Sequence, residues 1–262
     1  MEFVLVVPRT RLFPECFPQG FSPFGPGALT EFLATVDEHG FFVERQRAER
    51  EPAWKQVIPY VAVSQGAAPG ERLFAMRRLT RGGEARLHGK RSLGVGGHVN
   101  PEDAFATSAV EAATNSPTLP QPRSRALLHG ALREISEEIR LTTPGSKESS
   151  AATSPALIPL GLINDDATAV GAVHVGLACV LHTTGDVSVR EDDVLSGELL
   201  EPAVLRRLRD EGADFESWSS CLLDALWPTD GSDAIVRLDD AFRLSPWTHQ
   251  PSTETHRTPA HV

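Results

Sequence analysis

The sequence is short of cysteine, of positive charge and of long apolar runs, and each shortage excludes something. Its three cysteines, Cys16, Cys179 and Cys221, form neither a CxxC pair nor an even framework. That favours a reducing cytoplasm and argues against a structural disulfide. Zinc is disfavoured too, because no Cys/His pair has ligand spacing. Lys and Arg number 25 against 35 Asp and Glu, a formal charge of −10. A general binder of nucleic-acid duplexes, held mostly by Lys and Arg, is therefore not expected. A local basic patch can still grip a small anion. The longest nearly apolar run, 169–181, contains His174 and is shorter than the ~20 residues a membrane-spanning helix takes. The apolar stretch 3–7 is too short for a signal-peptide core and follows Glu2 instead of a basic region. The expected location is the cytosol, away from the membrane.

What is present suits one enlarged domain, or a domain with additions, at 262 residues. Residues 2–7 read as a short strand, 14–26 as an irregular proline-rich loop, and 28–38 as a helix ended by Gly40. Residues 41–43 suit a further strand, and the charged run 44–51 reads as a solvated connector. Strands are expected over 56–63 and 72–79, joined by a Gly/Ala/Pro-rich hairpin loop. The second runs into Arg77, Arg78, Arg81, Arg86, Lys90 and Arg91, a basic stretch in an acidic protein. Of these, Arg77, Arg78, Arg86 and Lys90 are candidates for binding substrate phosphates. A basic surface hairpin explains them equally well.

Residues 93–95 lead into Gly96-Gly97-His98-Val99-Asn100-Pro101, a loop whose glycines permit close backbone approach. A flexible insertion follows. A helix with Ser124 as N-cap then runs to about residue 141, with Leu128, Leu132, Ile135 and Ile139 as its apolar stripe. Beyond a low-complexity segment, strands are expected over 157–163, 169–182 and 187–189. Helices over 201–209 and 215–226 precede a disordered tail. Strands, one central helix, more strands and then helices predict an α/β mixed sheet with helices on both sides.

The central helix carries Arg133-Glu134-Ile135-Ser136-Glu137-Glu138. Helical spacing puts Glu134, Glu137 and Glu138 on one face, where like charges repel. A solvated face is one explanation. A hard divalent cation, which takes oxygen ligands, is the other.

Gly97, the acid Asp103 six positions on, and Arg133 to Leu141 resemble the Nudix box, G-x5-E-x7-R-E-u-x-E-E-x-G-u with u aliphatic. The R-E-u-x-E-E portion matches at every position. Three departures stand out. The first acid is Asp instead of Glu. A long segment separates it from Arg133 where the pattern has seven residues, so that counting back from Arg133 lands on Arg125. Arg140 replaces the closing glycine. The stretches Lys55 to Tyr60, Gly89-Lys90, Gly94 to Asn100, Gly161 to Asp166 and Val173 to Gly176 are similar to a bacterial branch of predicted Nudix phosphoesterases. The resemblance covers residues 41–210 or so.

The resemblance implies an α/β/α sandwich with a loop-helix-loop catalytic motif, plus N- and C-terminal additions. It divides the chain into an N-terminal extension packing on the core (1–52), a Nudix domain (53–210, with a flexible insertion about 104–122), a C-terminal helical addition (211–245) and a tail (246–262). It implies Mg²⁺ or Mn²⁺ as cofactor and a small-molecule diphosphate as substrate, cleaved at its P–O–P bond. Glu134, Glu137 and Glu138 become metal ligands, joined by a carbonyl of Gly96 or Gly97. Arg133 becomes the residue that orients a glutamate, and Glu134 or a downstream carboxylate (Glu191, Asp192, Asp193 or Glu198) the proton acceptor. His98 and His174 are expected to be structural. Two other readings stay open: a Nudix-fold binding or regulatory module without catalysis, and an isomerase of isoprenoid diphosphates, which the lack of a well-placed cysteine disfavours. Oligomeric state is open, a homodimer included.

Overall fold

A computed structural model describes residues 1–66, 70–79, 89–105, 123–142 and 157–227. In chain order it contains β1 (Phe3–Pro8), α1 (Arg9–Leu12), β2 (Gly20–Pro23), α2 (Ala28–His39), β3 (Phe41–Glu44) and α3 (Arg45–Ala48). Then come β4 (Trp54–Gln65), β5 (Arg72–Arg78), β6 (Arg91–Ser92), β7 (Gly94–Gly96), a 3-10 turn (Pro101–Ala104) and α4 (Arg123–Glu138). The remainder is β8 (Ile139–Thr142), β9 (Leu157–Asn164), α5 (Ala169–Val173), β10 (His174–Thr183), β11 (Asp186–Val189), β12 (Leu195–Leu200), α6 (Pro202–Asp210) and α7 (Ser217–Leu226).

β4 is the axis. On one side it pairs in parallel with all of β10. On the other it meets three antiparallel partners in succession, β1, β7 and β5. The path β12-β5-β4-β10-β9-β2 completes a mixed sheet, and β8 and β11 form a separate pair. Nearly every residue of β4 is buried, as a strand covered on both faces requires. Its odd-numbered Val57, Val61 and Val63 join Phe32 and Val36 of α2 and Leu127, Ala131 and Ile135 of α4 in one core. Its even-numbered Tyr60 and Ala62 join Leu222 and Leu226 of α7 in another. The period of two thus makes the α/β/α sandwich. Residues 1–52 contribute directly to the sheet, since β1 lies between β3 and β4.

The structure corrects several expectations. Residues 14–26 are not all loop, because β2 pairs with β9. Residues 45–48 form α3, whose Ala48 is buried with Val4 and Val6. The run 169–182 is not one strand: Thr168 accepts from the Gly171 N–H at 2.9 Å and caps the short α5 before β10 begins. Strand β12 pairs with β5 along Leu73–Arg78. The central helix starts at Arg123, and the cap comes from another helix. Asp37 of α2 accepts from the Ser124 backbone N–H at 2.7 Å and from its hydroxyl at 2.9 Å. The buried stripe is Ala126, Leu127, Gly130, Ala131 and Ile135, while Leu128 and Leu132 are only half-buried. Small residues face inward because the 3-10 turn and the loop before it pack there; a Cβ on Gly130 would lie 3.1 Å from Asp103 Oδ2 and 3.2 Å from Val99 Cγ2. Residues 139–142 are strand, not helix, pairing with β11. The insertion 106–122, the hairpin residues 67–69, residues 80–88 with Arg86, and the tail lie outside the described residues.

Candidate functional site

The rotation of α4 sets up the site. With Leu127 and Ala131 facing the sheet, Glu134 and Glu138 lie on the same inward side one and two turns on, half-buried. Glu134 rests against Gly97: a Cβ there would fall on its carboxylate, so only glycine allows this approach. Glu137 is exposed. Burial raises the carboxyl pKa of both Glu134 and Glu138. Arg133 opposes the shift at Glu134, and Arg78 at Glu138.

Arg133 gathers the loop onto the helix. It donates to both oxygens of Asp103, at 3.0 and 3.1 Å, to the His98 carbonyl at 2.8 Å and to Asn100 Oδ1 at 3.3 Å. Its Nη1 donates to Glu134 at 2.7 Å and reaches Glu137 at 3.4 Å. Hydrogen bonding to Asp103, which outweighs burial, raises its already high pKa. Asp103 also accepts the Asn100 N–H at 2.9 Å, closing the 3-10 turn. The acid that engages Arg133 is therefore Asp103, across the insertion, whereas Arg125 sits on α4 itself. Arg140 lies opposite Ser188 in the β8–β11 ladder, where no glycine is required. The helix end is closed by Arg190 instead, whose N–H donates to the Glu138 carbonyl at 2.9 Å and whose Nε donates to the Ile139 carbonyl at 3.2 Å.

Gly96 opens on a groove with two arms. The near arm, about 220 Å³, is lined by Glu138, Arg78, Lys90, Tyr60 and Met76 among others. The far arm, about 650 Å³, runs past Gly97 and His98 to α3 on one side and α5 on the other. Ile58, Gly96, Glu216 and Trp218 belong to both. Of the basic candidates, Arg78 and Lys90 thus reach the groove. Arg77 falls on the opposite side of β5, exposed, with Nε donating to the Gly89 carbonyl at 3.3 Å. Glu198 pairs with Arg91 at 2.9 Å, and Glu191, Asp192 and Asp193 line neither arm. The carboxylate that does line both is Glu216 from the start of α7, and it was not among the candidates. Nothing in its local sequence marks it, since only the packing of α7 on the sheet brings it there.

The two histidines meet. His174 Nδ1 donates to the Val170 carbonyl at 2.7 Å, leaving its Nε2 to accept from His98 Nε2 at 3.4 Å. Burial, with help from Arg45 and His174, pushes His98 down to about 4. Burial lowers His174 as well. Behind this wall Lys55, fully buried, donates to Asp166 at 2.6 Å and to the carbonyls of Gly171 at 2.8 Å and His174 at 3.1 Å. Burial lowers the Lys55 pKa despite Asp166. Asp166 also accepts from Arg9 and, at 2.9 Å, from Gln19. Burial would raise it, but Lys55, Gln19 and Asn164 hold it at about 2.

The donors around Gly97 are carboxylate and carbonyl oxygens, the set a hard divalent cation takes. Among the described residues no three His, Cys, Asp or Glu side chains converge into a closed cage, because Glu134 and Glu137 turn toward Arg133. No described helix is long and apolar enough to cross a membrane.

No family model matches the chain. It is 30% identical over 230 residues to protein YmaB of Bacillus subtilis (strain 168), spanning 86% of this chain and 97% of that one. Among solved structures it is similar to Tm1382, a protein assigned to the Nudix hydrolases. That match has 30% identity and a TM-score of 0.59, and covers 84% of this chain and 95% of the other. A Nudix hydrolase of Alicyclobacillus acidocaldarius stands further off, at 16% identity and TM-score 0.43, covering 70% of this chain and 98% of that one. Fold, helix motif and a full-length relative agree: the chain belongs to the Nudix hydrolase superfamily.

Proposed function

We propose that the protein is a metal-dependent hydrolase that cleaves the P–O–P bond of a nucleoside diphosphate derivative or a related diphosphate. The observation that carries the reading is the contact of the Glu134 carboxylate with Gly97, beside a groove that also holds Glu138, Arg78 and Lys90. Glu134, Glu137 and Glu138, with the carbonyl of Gly96 or Gly97, would hold Mg²⁺ or Mn²⁺. Such a cation, when bound, neutralises pyrophosphate charge and lowers the pKa of a coordinated water.

The chain's own residues supply the rest. Arg78 and Lys90 grip the phosphates in the near arm by charge-assisted hydrogen bonds. A carboxylate of the site accepts the water's proton, with Glu134 the first candidate. Arg133 works at one remove, fixing the loop through Asp103 and the His98 carbonyl while orienting Glu134. Burial of Glu134 and Glu138 favours binding of a cation that relieves their mutual repulsion.

The test is hydrolysis of a panel of nucleoside diphosphate sugars, dinucleotides and simple diphosphates, with Mg²⁺ or Mn²⁺ and with chelator. Metal-dependent release of two phosphorylated products is expected. Ligand-induced thermal stabilisation without any product would instead establish a binding module.

A further inference from the structure

The two arms of the groove differ in charge. In the near arm Arg78 and Lys90 stand beside Glu138 and Glu216, cations and carboxylates in equal number among the described residues. The far arm has one described guanidinium, Arg45, and it is already held: it donates to Glu2 and to Glu49, each at 2.9 Å. Glu49, Asp165 and Glu216 also line this arm. His98 and His174 are engaged with each other, their Nε2 atoms 3.4 Å apart. Lys55 does not reach the arm, being wholly buried with three acceptors. The far arm is therefore acidic on balance among the described residues, with three carboxylates against one guanidinium that is already paired.

The same arm is otherwise well equipped to hold a group. The Trp218 ring is seated on β10, where a Cβ at Gly176 would lie 3.0 Å from it, and stands edge-on to Tyr60 with centroids 5.5 Å apart. It gives the groove a fixed apolar wall. The ring nitrogens of the histidines and the side chains of Thr168 and Glu49 give polar edges. A volume of about 650 Å³ is of the size that encloses a small organic moiety.

We infer that the far arm is a subsite for an uncharged or cationic group carried on the diphosphate beyond the scissile bond, and that Glu49, Asp165 and Glu216 make it reject an anionic one. This deepens the hydrolase reading and rests on it. It predicts discrimination within pairs of diphosphates that differ only in the charge of the terminal group.

The experiment compares UDP-glucose with UDP-glucuronate, and ADP-ribose with ADP-ribose phosphorylated on its terminal ribose. Each is measured by calorimetric binding without metal and by kcat/KM with Mg²⁺, using the full chain. The neutral member of each pair should be favoured about tenfold or more, the scale of one like-charge contact at a partly screened site. Glu49→Lys should narrow that gap and Glu49→Gln should narrow it less, both without loss of Mn²⁺ binding at the glutamate helix. Equal handling of the two members, preference for the anionic one, or no recognition of either pair would overturn the inference. Turnover of other panel diphosphates alongside such a result would leave the hydrolase reading standing. Absence of all turnover would remove that reading as well.

Discussion

Arg133 and Lys55 are both cations held by an aspartate from a loop, yet they hold different things. Arg133 is about one-third exposed and its partners are mostly side chains: Asp103, Asn100, Glu134 and Glu137. Lys55 has no exposed side-chain surface, and two of its three acceptors are backbone carbonyls, one within α5 and one just after it. One cation arranges the candidate site; the other fastens a wall. Changes near Arg133 should therefore register in turnover, and changes near Lys55 in stability.

The largest effect is expected on the Arg133 side. Glu138→Gln, at the groove end of the helix, should lower turnover by about two orders of magnitude or more, with an unchanged melting temperature. An equal loss of stability would erase the contrast. On the Lys55 side, Asp166→Asn leaves a fully buried ammonium without its counter-ion and should cost about 3 kcal/mol in denaturant unfolding, while Mn²⁺ still binds. Its pH dependence is a finer check. Asp166 is held at about 2, below its ordinary 3.8, so its contribution is present above roughly pH 4 and is lost as pH falls through 2. The stability gap between wild type and Asp166→Asn should accordingly close over that interval. A gap that stays constant would mean that the pair is not its source.

Smaller effects sharpen the contrast. Arg133→Lys keeps the charge but loses the forked grip on Asp103, and should reduce turnover about 10–100-fold, the usual cost of losing a group that orients ligands. Folding should be little affected. Arg140→Gly, which restores the residue common in the Nudix pattern, should change turnover little and cost roughly 0.5–1 kcal/mol, as glycine does inside a strand. A clear gain in turnover would show that the helix exit is strained.

How far the sequence disclosed this arrangement depended on range. The R-E-u-x-E-E run is local, and its Glu134 and Glu138 fall on the inward side of α4 while Glu137 is exposed. Asp103 was ambiguous because the insertion breaks the spacing to Arg133, and only the folded loop brings the two within 3.0 Å. The same holds for Glu216 and for the pair formed by Arg45 of α3 and Glu49 just after it. A four-residue helix in a charged run has no periodicity to detect, and its place in the groove wall comes from Ala48 packing under it. Strand β2 and helix α5 were missed for a related reason. Short elements take their form from partners, here β9 for β2, and for α5 the Thr168 cap and the anchoring of the Gly171 carbonyl by Lys55. The long strands β4 and β10 were legible from their apolar runs, though β10 begins only at His174.

The most direct test of the account is hydrolysis in H₂¹⁸O with Mg²⁺ or Mn²⁺, read by mass spectrometry of the products for wild type and Glu138→Gln. The account predicts ¹⁸O in a phosphoryl group of a cleavage product, dependent on metal and formed about a hundredfold or more slowly by the variant. Rearranged or unlabelled products, or equal rates of labelling by both proteins, would contradict it.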